Sequence, residues 1–305
     1  MTKENRKEVK ILGTGVATMD MYPKQKRMYP GGNEYNVVCN AALRGAKAGF
    51  LGVFANDTAG QILEDTLKNV GVDSSRSHHE IGSSGYSLVE LKEDGDRVFL
   101  MWNQKGVTDL HPIAFTDDEI DYIKEFDVLC MGRLSCVSQD TIRHLHQIHG
   151  LSICYDFHAV FDEETIEAIA PYISYAFFSC WNLEEDLIRK CLKRTVELGC
   201  KLAIGTRGSD PIIAYDGKRF YTQETQHIEA TDTLGAGDSY IAAFLTEYLK
   251  REKEEKEPKE KVIQEALATA SEHAAKVICM DGSMGVGYDF DPKRMGDLVN
   301  LEEED

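Results

Sequence analysis

The chain has 305 residues, 42% apolar and 9% aromatic, enough to bury the core of one large α/β domain. Its 34 Lys and Arg against 52 Asp and Glu leave a net charge of −18, which argues against nonspecific nucleic-acid binding and against anionic lipid. No apolar run is long enough to span a bilayer, residues 1–10 lack a secretory apolar core, and the 8 cysteines contain no Cys-x-x-Cys pair, so a cytoplasmic protein with small buried thiols is expected.

Residues 9–16 read as a buried strand, 33–43 as a helix and 49–55 as a second strand. Asn56 or Asp57 can cap a helix over 59–69. Residues 87–91 and 97–102 alternate polar and apolar about Glu93-Asp94-Gly95-Asp96, a hairpin signal. Thr116 and Glu119 suit a capping box. Strands are then expected over 128–132, 152–157, 175–180 and 202–206. Helices over 138–149, 163–173 and 183–198 separate them, with Gly150 and Gly199 as stops. A hairpin about Asp216-Gly217 follows, then helices over 237–249 and 262–279 joined by a charged, solvated link, and an acidic tail over 301–305 expected to fray. The strand–helix alternation predicts a doubly wound, mostly parallel sheet with helices on both faces. Ligands in such folds gather beyond the carboxyl ends of the strands. His144, His146 and His149 share an amphipathic segment and read as a solvated face.

Two motifs carry the chemistry. The first is Asp232-Thr233-Leu234-Gly235-Ala236-Gly237-Asp238, leading into a helix. Gly235 and Gly237 let the backbone approach a ligand, and the free amides of a helix start suit a phosphoryl oxygen. Asp238 in the first turn repels an anion, so it makes sense as the group that takes a proton from an attacking alcohol. The second is Gly31-Gly32-Asn33-Glu34-Tyr35-Asn36. Its double glycine permits close approach of a polyol, and Asn33, Asn36 and Asp20 offer directed hydrogen bonds to hydroxyls.

Both motifs resemble the two signatures of the ribokinase, or PfkB, family of ATP-dependent sugar kinases. The resemblance runs from about residue 9 to residue 285. It implies a ribokinase-like α/β domain over 1–305 with a small β lid from segments 21–30 and 84–104, through which family members often dimerise. It implies Asp238 as catalytic base and the Gly235, Ala236 and Gly237 amides as an anion hole beside Asp232 and Thr233. Asn182-Leu183-Glu184-Glu185 is similar to the family's Asn-x-x-Glu, which implies Asn182 near the nucleotide and Glu185 holding Mg²⁺ through water. Thr206 and Gly208 match a nucleotide-phosphate turn, although Arg207 and Pro211 depart from it. Asp156 alone remains of the family's Asp-Pro-Asn. An adenine slot is expected from the last helices and the loop over 280–285, and some members use K⁺ beside the Asp232 loop.

The implied reaction moves the γ-phosphoryl of MgATP to a primary hydroxyl of a sugar or sugar derivative. Asp96-Arg97-Val98-Phe99, Asp156-Phe157 and Ala176-Phe177-Phe178-Ser179 look most like bacterial fructoselysine kinases, so a fructosamine is the expected acceptor. The rivals are a nucleoside kinase, a 1-phosphofructokinase, which wants extra cations such as Arg97 and Lys105 near the sugar, and a non-catalytic sugar or nucleotide sensor.

Overall fold

The computed structural model describes residues 8–92, 96–103, 106–226 and 228–299. Three expectations fall outside them: residues 93–95 of the hairpin turn, Lys105 with the end of its lid segment, and the acidic tail.

The strands are β1 (Lys10–Gly13), β2 (Thr18–Tyr22), β3 (Arg27–Gly31), β4 (Lys47–Phe50), β5 (Val53–Ala55), β6 (Val72–Asp73), β7 (His78–Glu80), β8 (Gly85–Leu91) and β9 (Arg97–Trp102). They continue as β10 (Val128–Gly132), β11 (Ser152–Asp156), β12 (Tyr175–Ser179), β13 (Leu202–Arg207), β14 (Asp210–Tyr215), β15 (Phe220–Gln223) and β16 (Tyr288–Asp289). The α-helices are α1 (Asn33–Leu43), α2 (Thr58–Val70), α3 (Val107–Leu110), α4 (Asp117–Ile123), α5 (Gln139–Leu145), α6 (Glu163–Ile169), α7 (Glu185–Glu197), α8 (Ala236–Glu254) and α9 (Lys259–Val277).

Nine strands form the main sheet in the order β15-β14-β13-β12-β11-β10-β1-β4-β6. The neighbours from β6 through β13 run parallel, and β14 and β15 close the edge antiparallel. All five residues of β10 are buried, as a strand covered on both faces requires. Ile11, Cys130, Phe177 and Ile204 point to one layer, with α1, α2, α8 and α9. Leu12, Met131, Phe178 and Ala203 point to the other, with α4, α5, α6 and α7. Phe177 meets Phe244 of α8 edge to face across the first interface, centroids 5.8 Å apart, and Phe244 stacks on Tyr248 of the same helix at 5.5 Å. The doubly wound α/β class expected from the alternation is therefore present.

A second, five-stranded sheet has the order β16-β3-β2-β8-β9 and draws on residues 18–31 and 85–102. Its own small core is Tyr22, Tyr29, Val89 and Leu234, the last contributed by the loop before α8.

Local chemistry sets the boundaries. Asp57 accepts from the Gly60 amide at 2.7 Å and caps α2, which ends on Gly71 at φ 83°. Thr116 and Glu119 form both halves of the capping box. The strand expected over 9–16 stops at Gly13, and only glycine fits at position 15, where a Cβ would stand 2.2 Å from the Glu34 carboxylate. The strand over 49–55 breaks at Gly52, packed on the Phe50 ring. The helix over 138–149 ends at Leu145, and the one over 163–173 tightens to a 3₁₀ turn at Ala170–Tyr172, where Pro171 has no amide to give. In contrast α8 runs on to Glu254, carried by Arg251 between Glu247 (2.5 Å) and Glu257 (2.6 Å).

All 8 cysteines are free, five of them buried. Among the described residues no helix is long and apolar enough to cross a membrane.

Phe244 is fully buried between helix and sheet. Truncation to alanine should destabilise the fold by about 3–5 kcal/mol, measured by denaturant unfolding.

Candidate active site

The site lies beyond the carboxyl ends of β1, β10 and β11, where α1 and α8 meet. Gly235 caps α8 in the left-handed region at φ 73°, and a Cβ there would stand 2.3 Å from Ser283 Cβ, so only glycine fits. Gly237 is different: nothing lies within 4 Å of where its Cβ would stand. Packing within the protein therefore does not demand glycine there. The Ala236 N–H turns back to the Thr233 carbonyl at 3.3 Å.

Asp238 sits in the first turn of α8 and is 7% exposed. Asn36 Nδ2 donates to its Oδ2 at 2.8 Å, and Asn33 Nδ2 to its Oδ1 at 3.3 Å. The Asn36 Oδ1 in turn accepts from the Ser283 hydroxyl at 2.6 Å. Asn33 and Asn36 were expected to meet sugar hydroxyls. In the ligand-free chain they hold the Asp238 carboxylate, and the Asn36 side chain also accepts from Ser283. Burial pushes the Asp238 carboxyl up to about 6, against the lowering effect of the Asn36 hydrogen bond.

The glycine pair has a packing reason. A Cβ on Gly31 would stand 2.2 Å from Asp20 Oδ2, and one on Gly32, at φ 113°, would stand 2.1 Å from the Val16 carbonyl. Asp20 is buried on β2, and burial raises its carboxyl to about 7 while nearby Arg97 opposes the rise. The sequence reading gave no role to Glu34. It is buried beneath the site, accepts from Ser135 Oγ at 2.7 Å, and its carboxyl is raised by burial to about 7.

The lid reaches the loop before α8 at two points. Tyr22 donates to Asp232 Oδ2 at 2.8 Å, and Arg97 Nη1 donates to the carbonyl and hydroxyl of Thr233, both at 2.9 Å. Asp232 also accepts from the amides of Leu234 (2.8 Å) and Gly282 (3.0 Å). No local sequence pattern marks Tyr22, Glu34, Ser135 or Ser283, because each acts through a partner distant along the chain. In the loop over 280–285, the Gly282 amide donates to Asp232 and the Ser283 hydroxyl to Asn36, so these two residues buttress the loop before α8.

Thr206, one residue before the end of β13, places its hydroxyl on the Phe178 carbonyl at 3.3 Å, and Gly208 turns at φ 65°. Asn182 is exposed. Glu185 opens α7 between Arg189 (2.7 Å) and Arg207 (3.5 Å). Among the described residues no group of three or more His, Cys, Asp or Glu could hold a metal ion by itself. Asn182 and Glu185 therefore fit a cation only as outer partners of one that arrives on phosphate. His144, His146 and His149 are exposed, and His146 bonds the Tyr172 carbonyl at 3.0 Å.

A family model described as pfkB family carbohydrate kinase matches residues 6–285. The fructosamine kinase FrlD of Bacillus subtilis (strain 168) is 33% identical over 285 residues, covering 92% of this chain and 95% of the relative. The fructoselysine 6-kinase of Escherichia coli (strain K12) is 30% identical over 238 residues, covering 78% and 88%. Among solved structures, the ribokinase from Giardia lamblia superposes with a TM-score of 0.73 at 15% identity, covering 91% and 95%. A fructokinase with bound ATP from Xylella fastidiosa gives 0.71 at 16% identity, covering 92% and 94%.

Raised carboxyls at Glu34 and Asp20 mean that the folded chain binds these protons more tightly than the unfolded chain. Their stabilising contribution is present below the ordinary carboxylate range and is lost as pH rises through about 7. Glu34→Gln should therefore raise the melting temperature by about 2–5 °C more at pH 8 than at pH 5, read by thermal denaturation of the ligand-free protein.

Proposed function

The chain belongs to the pfkB family of carbohydrate kinases, and we propose that its acceptor is a fructosamine, phosphorylated on a primary hydroxyl by Asp238 chemistry. Two relatives that are 33% and 30% identical to this chain carry fructosamine and fructoselysine in their names. The pocket agrees in charge. Glu34, Asp156 and Asp238 line it, and Asp20, with Arg97 beside it, is close enough to Asp238 to act on it electrostatically. Such a pocket suits a protonated amine and disfavours an acceptor that already carries phosphate, which argues against a 1-phosphofructokinase.

The observation that carries the mechanism is the buried Asp238 carboxylate, gripped by two asparagine amides at the mouth of α8. At neutral pH it is ionised, yet it is basic enough to accept a hydroxyl proton as the oxygen attacks phosphorus. The Gly235, Ala236 and Gly237 amides and the positive end of α8 would stabilise the charge that develops on the transferred group. Bound MgATP would supply the phosphoryl group and neutralise its charge. Thr206, Gly208 and Asn182 would line the nucleotide side, with Glu185 as the outer partner of Mg²⁺. A K⁺ ion would belong beside the Asp232 loop. The lid excludes water, which would otherwise compete with the sugar for phosphate. A nucleotide-fuelled reaction and free thiols fit the cytoplasm.

The dimer also belongs to this reading. Strand β9 is the outer edge of the lid sheet, and Val98, Phe99, Leu100, Met101 and Trp102 are each 39–56% exposed. An apolar, unpaired edge of this kind is covered by a second copy of the chain, lid to lid.

ADP release from a panel of fructosamines, fructose, ribose, 2-keto-3-deoxygluconate and nucleosides tests the acceptor. A fructosamine should give the highest kcat/KM, and preference for a nucleoside would overturn the assignment. Asp238→Asn should fold and lose at least about 100-fold in kcat, and the wild-type kcat/KM should fall as pH drops through about 6. Sedimentation should find a dimer that Leu100→Lys converts to monomer.

A further inference from the structure

Two adjacent residues after α9, Gly282 and Ser283, touch both halves of the site, and the mechanism leaves them unused. Gly282 turns at φ 66°, and a Cβ on it would stand 2.7 Å from the Tyr29 ring, so the turn depends on glycine. The turn delivers the Gly282 amide to Asp232 Oδ2 at 3.0 Å. It also seats Ser283 against Gly235, the N-cap of α8. Ser283 is 1% exposed, so it acts through its neighbours rather than on a ligand.

On its other side Ser283 meets two buried asparagines of α1. Its hydroxyl donates to Asn36 Oδ1 at 2.6 Å, and its carbonyl accepts from Asn40 Nδ2 at 3.4 Å. Asn40 Nδ2 also donates to the Asn36 carbonyl at 3.0 Å, and Asn40 Oδ1 faces Nε2 of His273, on α9, at 3.1 Å. Burial holds His273 down to about 4, so near neutrality the ring is uncharged, and the proton that Asn40 Oδ1 can accept is the one on Nε2. Donors and acceptors thus run in one consistent direction from α9 through α1 to Asp238.

We infer that Ser283 is a positioning residue for Asp238: its hydroxyl orients the Asn36 amide so that Nδ2, and not Oδ1, meets the carboxylate. The oxygen and nitrogen of an amide have nearly the same shape, so only their partners distinguish the two orientations. Ser283 supplies the donor that the buried Oδ1 needs. A hydrogen bond accepted at Oδ1 also polarises the amide and strengthens Nδ2 as a donor. Because Gly282 and Ser283 also hold Asp232 and Gly235, one short turn places the loop before α8 and the base relative to each other. The inference deepens the kinase reading above and rests on it for the role of Asp238.

The experiment uses Ser283→Ala, which removes the donor, and Ser283→Cys, which keeps the size and offers a weaker one. Two readouts are compared: kcat/KM for fructoselysine against pH, by ADP release, and titration of the Asp238 carboxyl in the ligand-free protein by carbon NMR, assigned with Asp238→Asn. A weaker Asn36 hydrogen bond leaves the carboxylate less stabilised, so it takes a proton more readily. Both midpoints should therefore rise in Ser283→Ala, from about 6 by about 0.5–1 in pH, with Ser283→Cys between, and kcat near neutrality should fall about fivefold. The other charged groups that face Asp238 are Asp156 and His158 at the end of β11, Glu34 of α1 and Asp20 of β2, and among the described residues none of them hydrogen-bonds to Ser283. A packing role alone would lower the melting temperature or kcat and leave both midpoints in place. Midpoints that stay in place or fall in both variants would overturn the inference, and if Ser283→Ala does not fold, Ser283→Cys decides by the same two midpoints. If the wild type releases no ADP with any acceptor while the carboxyl midpoint still rises in the variants, the kinase reading falls and the positioning role stands.

Discussion

The hydrogen bond from Asn36 to Asp238 joins the two halves of this molecule's chemistry. It crosses 202 positions of sequence and locks the first turn of α1 to the first turn of α8. A carboxylate in such a dry place is poorly solvated and tends toward its neutral form. The amide donors oppose that tendency enough to leave a base that is ionised near neutrality. Burial alone would give a protonated acid with nothing to accept, and full solvation would give a weak base. The site works between these limits, and the asparagine pair sets where it falls.

The second constraint is mechanical. The loop that carries the anion-binding amides has little internal structure, so other parts of the chain shape it. Asp232 gathers two backbone amides and the Tyr22 hydroxyl, while Arg97 clasps Thr233. Tyr22 and Arg97 belong to the lid sheet and Gly282 to the segment after α9. Two side chains of this second sheet thus help define the loop that leads into α8. Movement of either strand changes the geometry at Gly235 without any contact to nucleotide.

Much of this was legible in the sequence. Buried strands with a period of two, glycine stops and the Thr116–Glu119 box define the parallel sheet because each is local. The sheet ends are also local, which puts Asp238, Asp156 and Thr206 on the correct edge. Partnership was harder to read. Asn33 and Asn36 look like sugar ligands from composition, since an amide beside a double glycine suits a polyol. Only the three-dimensional arrangement shows that both amides turn to Asp238. Glu34 drew no attention because an acid in the first turn of a helix usually faces solvent, and here Gly15 and Gly132 leave room for it to point inward. Gly31 and Gly32 were read as a place where a sugar approaches the main chain, and packing supplies a second reason for glycine there, the closeness of Asp20 and the Val16 carbonyl.

The base also owes its position to ordinary packing. Val37, Val38, Cys39 and Ala41 of α1 lie in the same apolar layer as Ile241, Phe244 and Leu245 of α8. The two helices that carry the reacting carboxylate and its amide clamp are thus registered by hydrophobic side chains one or two turns further along. A small slide of α1 over α8 would cost little cohesive energy, yet it would misalign a bond that tolerates only tenths of an ångström. Substitutions deep in that seam should then dull turnover well before they loosen the fold, so changes remote from every ligand can still tune the enzyme.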